Sequence, residues 1–183
     1  MTAPSPLAPT SQIQAPRILI VEPNRSALGV LARRLGEAGY RIVAADSAQA
    51  AVAGLYRLPV DLVLAELAMP VMSGIDLARL IRDDTALRDL AIILIAGRSN
   101  RGGAVEALDA GADDIVVKPF DHDLLLARIA RQLSRAQATK PLRADNAVLD
   151  ARVVTRAIEL GEMRAALATS EGERVRLAGL VAN

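Results

Sequence analysis

Glu66 closes the apolar run DLVLAE (61–66), and the loop LAMPVMSG (67–74) follows it. A carboxylate there sits where a strand of a doubly wound α/β sheet gives way to a helix. Such sheets place their chemistry outside the carboxyl ends of the strands. RILIVE (17–22) likewise ends on Glu22, and DIVV (114–117) is followed by Lys118, with Pro119 and Phe120 turning the chain. Other chemistries are poorly provided for. There is no cysteine, which excludes disulfides, thiol catalysis and cysteine-based metal sites. His122, the single histidine, lies between Asp121 and Asp123 at a helix start, and reads as a solvated first-turn residue rather than a phosphoryl relay or metal ligand. Gly102 and Gly103 lack the surrounding residues of a phosphate cradle and read as loop glycines. Arg79, Arg82 and Arg88 could face an anionic nucleotide, but scattered arginines on an exposed helix normally serve solubility.

The elements that must position these charges follow from periodicity. RILIVE (17–22), RIVAA (41–45), DLVLAE (61–66), AIILIA (91–96) and DIVV (114–117) are strands. Between them lie helical patterns, with Asn24, Ser47 and Ser73 as N-caps and Gly39 and Gly111 as stops. AVEALDA (104–110) is the fourth helix and the strongly amphipathic DHDLLLARIARQLSRA (121–136) the fifth. Five strands alternating with five helices demand a parallel sheet covered on both faces.

Composition agrees. Hydrophobic residues make up 52% of the chain and aromatics only 2%, so the core is aliphatic. Net charge is +1 with both signs interleaved, which argues against a nucleic-acid surface. No apolar run reaches the roughly 20 residues that span a bilayer, and no secretory signal is visible, so the expected location is cytoplasmic. Residues 1–15 read as a disordered tail, 16–138 as the α/β domain and 139–143 as a linker. Residues 144–183 read as one long helix whose sevenfold core positions include Asn146, Leu149, Val153, Leu160, Met163, Leu167, Leu177 and Val181. That pattern suits a dimeric coiled coil, with a core asparagine able to set register. Folding back on the domain, or solvation with fraying, is the plainer alternative.

ILIVEPN (18–24), DLVLAELAMPVMSG (61–74), AIILIAG (91–97) and above all GADDIVVKPF (111–120) resemble the receiver domain of bacterial two-component response regulators, the CheY-like family, over about residues 16–137. The resemblance implies a flavodoxin-like sheet of order 2-1-3-4-5. It also implies an aspartate acceptor after the third strand, two acids after the first strand holding Mg²⁺, a hydroxyl ending the fourth, a lysine ending the fifth, and an aromatic switch residue. Here Glu66 stands at the acceptor position, Pro23 replaces the second acid beside Glu22, Ala96 replaces the hydroxyl and Ile115 the aromatic. Lys118 and Pro119 are kept. The resemblance further sets Asp113, Asp114, Arg128 and Arg131 on a candidate dimer face, with solvated surface charge as the alternative.

Mg²⁺ demands near-octahedral oxygen ligands at about 2.0–2.1 Å, so losing a carboxylate to Pro23 and lengthening the acceptor should abolish or greatly weaken metal binding. Acyl-phosphate formation needs in-line geometry and metal charge together. The expectation is a pseudo-receiver with no catalytic residue, no cofactor and Glu66 as a fixed anion facing Lys118. It would signal by contact with a protein partner, a histidine kinase or an output domain, and as a homodimer. Alternatives are a phosphoryl acceptor using Glu66, the regulatory front of a longer histidine kinase or diguanylate cyclase, and a ligand-binding module using the acidic pocket.

Overall fold

The computed structural model describes residues 14–98 and 103–181. Along the chain run β1 Arg17–Val21, α1 Arg25–Glu37, β2 Arg41–Ala45, α2 Ala48–Leu55, β3 Leu62–Glu66, α3 Gly74–Asp83, β4 Ala91–Ala96, α4 Gly103–Asp109, β5 Asp114–Val117 and α5 His122–Val181. The sheet order is β2-β1-β3-β4-β5, with every pairing parallel. This is the order and orientation expected. The tail at 1–13 and Gly102 lie outside the described residues, while Gly103 opens α4.

Alternation along the strands builds two cores. Leu19, Val21, Val63, Ala65, Ile92 and Leu94 face α2, α3 and α4, whereas Ile18, Ile20, Leu62, Leu64, Ile93 and Ile95 face α1 and α5. A parallel sheet buried on both faces requires such unbroken apolar strands. Each fully buried leucine or isoleucine contributes about 1.5–3 kcal/mol. α5 meets the second core through Leu125, Ile129 and Leu133, one residue per helical turn.

The helix ends follow their caps. Asn24 accepts from the Ser26 and Ala27 N–H groups, Ser47 from that of Ala50, and Ser73 forms a reciprocal capping box with Asp76. Gly74 begins α3 hard against β3. A Cβ there would lie 2.6 Å from the Glu66 carbonyl oxygen, which is backbone and cannot move aside cheaply.

One expectation fails. Helical backbone runs through 139–143, where a linker was expected, so α5 continues without a break to Val181. Pro141 lacks an N–H and costs roughly 3 kcal/mol in a helix interior. It disrupts locally, however, and the good helix formers around it (Gln137, Ala138, Lys140, Leu142, Arg143, Ala144) carry the helix across.

The chain divides into two compact units, Met1–Ala136 and Gln137–Asn183. In the second, Leu149, Val153, Val154, Ile158, Leu160, Met163 and Leu167 are each more than half exposed. The side chains of Asn146, Leu177 and Val181 lie outside the described residues. Among the described residues, no helix is long and apolar enough to cross a membrane.

Gly74→Ala is expected to destabilise the fold by about 1–3 kcal/mol, the usual range for overpacking a tight site. Urea denaturation of the two proteins checks this, and equal midpoints would refute the close approach.

Candidate functional site

β1, β3 and β5 carry charge at their carboxyl ends, and the sheet brings those ends together, while Asp46, which follows β2, is exposed. Glu22 follows β1, Glu66 ends β3 and Lys118 follows β5. Both carboxylates are buried. The Lys118 ammonium donates to Glu22 Oε2 at 2.9 Å and to Glu66 Oε2 at 2.5 Å. The remaining Glu22 oxygen, Oε1, accepts the Asn24 N–H at 3.0 Å. Glu66 also accepts from the Ala68 backbone. Among the described residues, no buried side-chain nitrogen or oxygen lacks a partner.

Burial is the largest influence on Glu66 and pushes its carboxyl above the ordinary range. Lys118 opposes this through its hydrogen bond and charge, while the Glu22 charge adds to the rise. For Lys118, burial favours the neutral amine, yet the bonds and charges of Glu66 and Glu22 outweigh it and raise the ammonium above its usual 10.5. Two acids and one ammonium leave one formal negative charge in the pocket.

The other positions singled out in the sequence surround this triad. Pro23 is half-buried directly after Glu22, and Pro119 follows Lys118 across a cis peptide bond. Ala96 is fully buried beside Val117 at the end of β4 and offers no hydroxyl. Ile115 packs against the α2–α4 core and pairs with Leu94. An open cavity of about 590 Å³ is lined by Arg98, Val117, Lys118 and Pro119. His122 meets Phe120 edge to face, with ring centroids 5.7 Å apart.

Three of the four residues set on a dimer face have partners within the chain. Arg82 donates to Asp113 Oδ2 at 2.9 Å, and Arg128 Nη1 donates to Asp114 Oδ1 at 2.7 Å. Arg131 is exposed. Arg82 is also no loose surface charge, because it bonds the carbonyls of Gly111, Arg88 and Leu90. Asp113 additionally accepts the Ile92 N–H, so this pair ties α3 to the starts of β4 and β5. Sequence reading missed the role, since nothing local distinguishes Arg82 from Arg79, which reaches Glu106 at the surface.

It also missed Val71. This residue is 96% exposed and has φ 69°, with the Met72 N–H closing a three-residue turn onto the Pro70 carbonyl at 2.8 Å. A β-branched residue there is strained. A glycine or asparagine would have been the sequence signal, and neither is present.

A two-faced parallel sheet with an acid–lysine cluster at the ends of β1, β3 and β5 is the plan of a phosphoryl-signalling receiver. Residues 18–130 match the response regulator receiver domain family, and the chain belongs to it. The two-component response regulator PhoP of Pseudomonas aeruginosa is 37% identical over 120 residues, which cover 66% of this chain and 52% of that protein. A probable cyclic di-GMP phosphodiesterase of Vibrio cholerae is 31% identical over 150 residues, 82% of this chain and 34% of that one. Among solved structures, the receiver domain of a Syntrophus aciditrophicus signal transduction histidine kinase superposes with a TM-score of 0.62 at 32% identity, covering 66% of this chain and 91% of its own. The chain spans about half the length of the first curated response regulators it matches. It is a receiver domain of the two-component type followed by a helix.

An ammonium with a raised folded pKa stabilises the fold fully below about pH 10.5, and that stability is lost as pH rises through the higher folded value. Lys118→Met leaves two buried acids without their counter-charge. It should cost about 2–3 kcal/mol at pH 7, less than for a fully buried pair because the lysine side chain is 38% exposed. Glu66 has the same sign of shift from a lower starting value, so its contribution is present below 4.5 and lost as pH rises through the folded value. Ionising Glu66 therefore weighs against the fold, and Glu66→Gln should change stability by no more than about 1 kcal/mol. Chemical denaturation from pH 3 to pH 12 measures both. A larger loss for Glu66→Gln than for Lys118→Met would overturn this ranking.

Proposed function

We propose that the chain is a pseudo-receiver, signalling without phosphorylation by contact with other proteins in a bacterial two-component pathway. The observation that carries this reading is Lys118 hydrogen-bonded to Glu22 and Glu66 at once. In the family that lysine neutralises the phosphoryl group. Here its charge is already met by a carboxylate one methylene longer than aspartate.

Mg²⁺ does not fit this pocket. A hard cation would have to displace Lys118 from one acid and the Asn24 N–H from the other oxygen of Glu22, and Pro23 offers no side-chain ligand in return. With no hydroxyl at Ala96 and no ring at Ile115, the coupled movement that reports phosphorylation has no parts to move. The domain therefore presents one surface state to a histidine kinase or an output domain, and is not itself an enzyme. It acts in the cytoplasm without nucleic acid, and pairs with a second copy through the exposed apolar residues of its second unit.

A second reading has support of its own. The similarity to the probable cyclic di-GMP phosphodiesterase extends over 150 residues, beyond the family match at 18–130. That favours the chain as the regulatory front of a longer signalling enzyme.

Incubation with acetyl phosphate and Mg²⁺ is expected to leave the intact mass unchanged. Beryllofluoride with Mg²⁺ should produce no saturable shift of the amides around Glu66. The combined variant Pro23→Asp, Glu66→Asp, Ala96→Thr is expected to regain a Mg²⁺-dependent response. A Glu66-dependent adduct in the unaltered protein would refute the pseudo-receiver reading.

A further inference from the structure

Leu149, Val153, Leu160, Met163 and Leu167 are all exposed on one helix. At about 100° per residue they fall within roughly 40° of a single line along it. Arg156, also exposed, lies on that same line near its middle. A guanidinium in an apolar stripe must be met by something when the stripe is covered, because a buried charge without a counter-charge is costly.

A second copy of this chain can meet it in one orientation and not in the other. In a parallel, in-register pair every position faces its own twin, so the two Arg156 groups lie side by side in the seam. Like charges there repel with little water to screen them. The stripe is also symmetric about residue 158. An antiparallel pair centred there sets Leu149 against Leu167 of the other copy, Val153 against Met163, and Arg156 against Leu160. Glu159 of the other copy then lies beside Arg156, and each arginine gains an opposite charge in place of a like one. The two Glu159 groups approach each other in that arrangement, but an arginine flanks each. The parallel pair would gain Glu159–Arg164 contacts at its solvent-exposed rim, where ion pairs contribute little.

We infer that residues 149–167 pair antiparallel with a second copy of this chain, and that Arg156 sets the orientation. This rests on the dimer reading above and adds to it the direction of the helices and the residue responsible.

The chain contains no cysteine, so single introduced thiols report the geometry directly. Full-length Leu149→Cys and Leu167→Cys are oxidised separately and as an equimolar mixture, with one variant carrying a mass tag. The expected result is a mixed disulfide dimer from the mixture and loss of cross-linking when either variant is alone. Cross-linking of each variant with itself, without mixed product, would show a parallel pair and overturn the orientation while keeping the second copy. No disulfide in any combination would overturn the pairing itself, and light scattering would then show whether a dimer remains. Arg156→Leu in both backgrounds is expected to permit self-cross-linking at both positions, and an unchanged pattern would remove Arg156 as the determinant. Far-ultraviolet circular dichroism of every variant checks that the helix is retained.

Discussion

A single ammonium held between two buried carboxylates organises the working end of this protein. Glu22 and Glu66 are carried to the carboxyl end of the sheet by interior strands that are apolar and buried on both sides. Leaving either buried acid without a counter-charge would be costly. Lys118 gives both a hydrogen-bonded counter-charge, although burial still holds the Glu66 carboxyl above its ordinary range, and is itself kept charged by them. Both carboxylates of the pocket are thereby hydrogen-bonded within the chain.

The neighbouring substitutions fit that arrangement. A hydroxyl at position 96 would need a partner in a fully buried place, and Ala96 needs none. Ile115 fills its share of the core between sheet and helices, where a swinging ring would require space. Pro23 stiffens the turn that holds Glu22 against Lys118. Each of these positions lacks a moving or polar part, which is in keeping with the pseudo-receiver proposed above. Arg82 and Asp113 do comparable work away from the site, fastening the starts of β4 and β5 to α3.

The second unit follows a different logic. α5 is amphipathic against the sheet through Leu133, whereas the apolar side chains between Leu149 and Leu167 stand exposed along the same helix. Exposed leucines, valines and methionine at helical spacing are surface that association can bury. Arg156 among them makes the choice of covering surface selective, since only one that supplies an opposite charge avoids a penalty.

Element type and order were legible in the chain because they depend on local periodicity. Continuous apolar runs marked five buried strands, and Asn24, Ser47 and Ser73 marked three helix starts by their capping chemistry. The positions of Glu22, Glu66 and Lys118 at strand ends could be read the same way. That Lys118 faces Glu66, 52 residues away, followed from the resemblance alone, and its second bond, to Glu22 96 residues away, was not foreseen, because such partners meet only through the order of strands in the sheet. Arg82 looked like any surface arginine until α3 was packed beside Asp113, and the pairs Asp113–Arg82 and Asp114–Arg128 were invisible for the same reason. Pro141 misled because a local rule about one residue was set against the helix-forming tendency of a long segment. Patterns that repeat every two to four residues are written along the chain, while hydrogen bonds between charges come into being only when distant strands lie side by side.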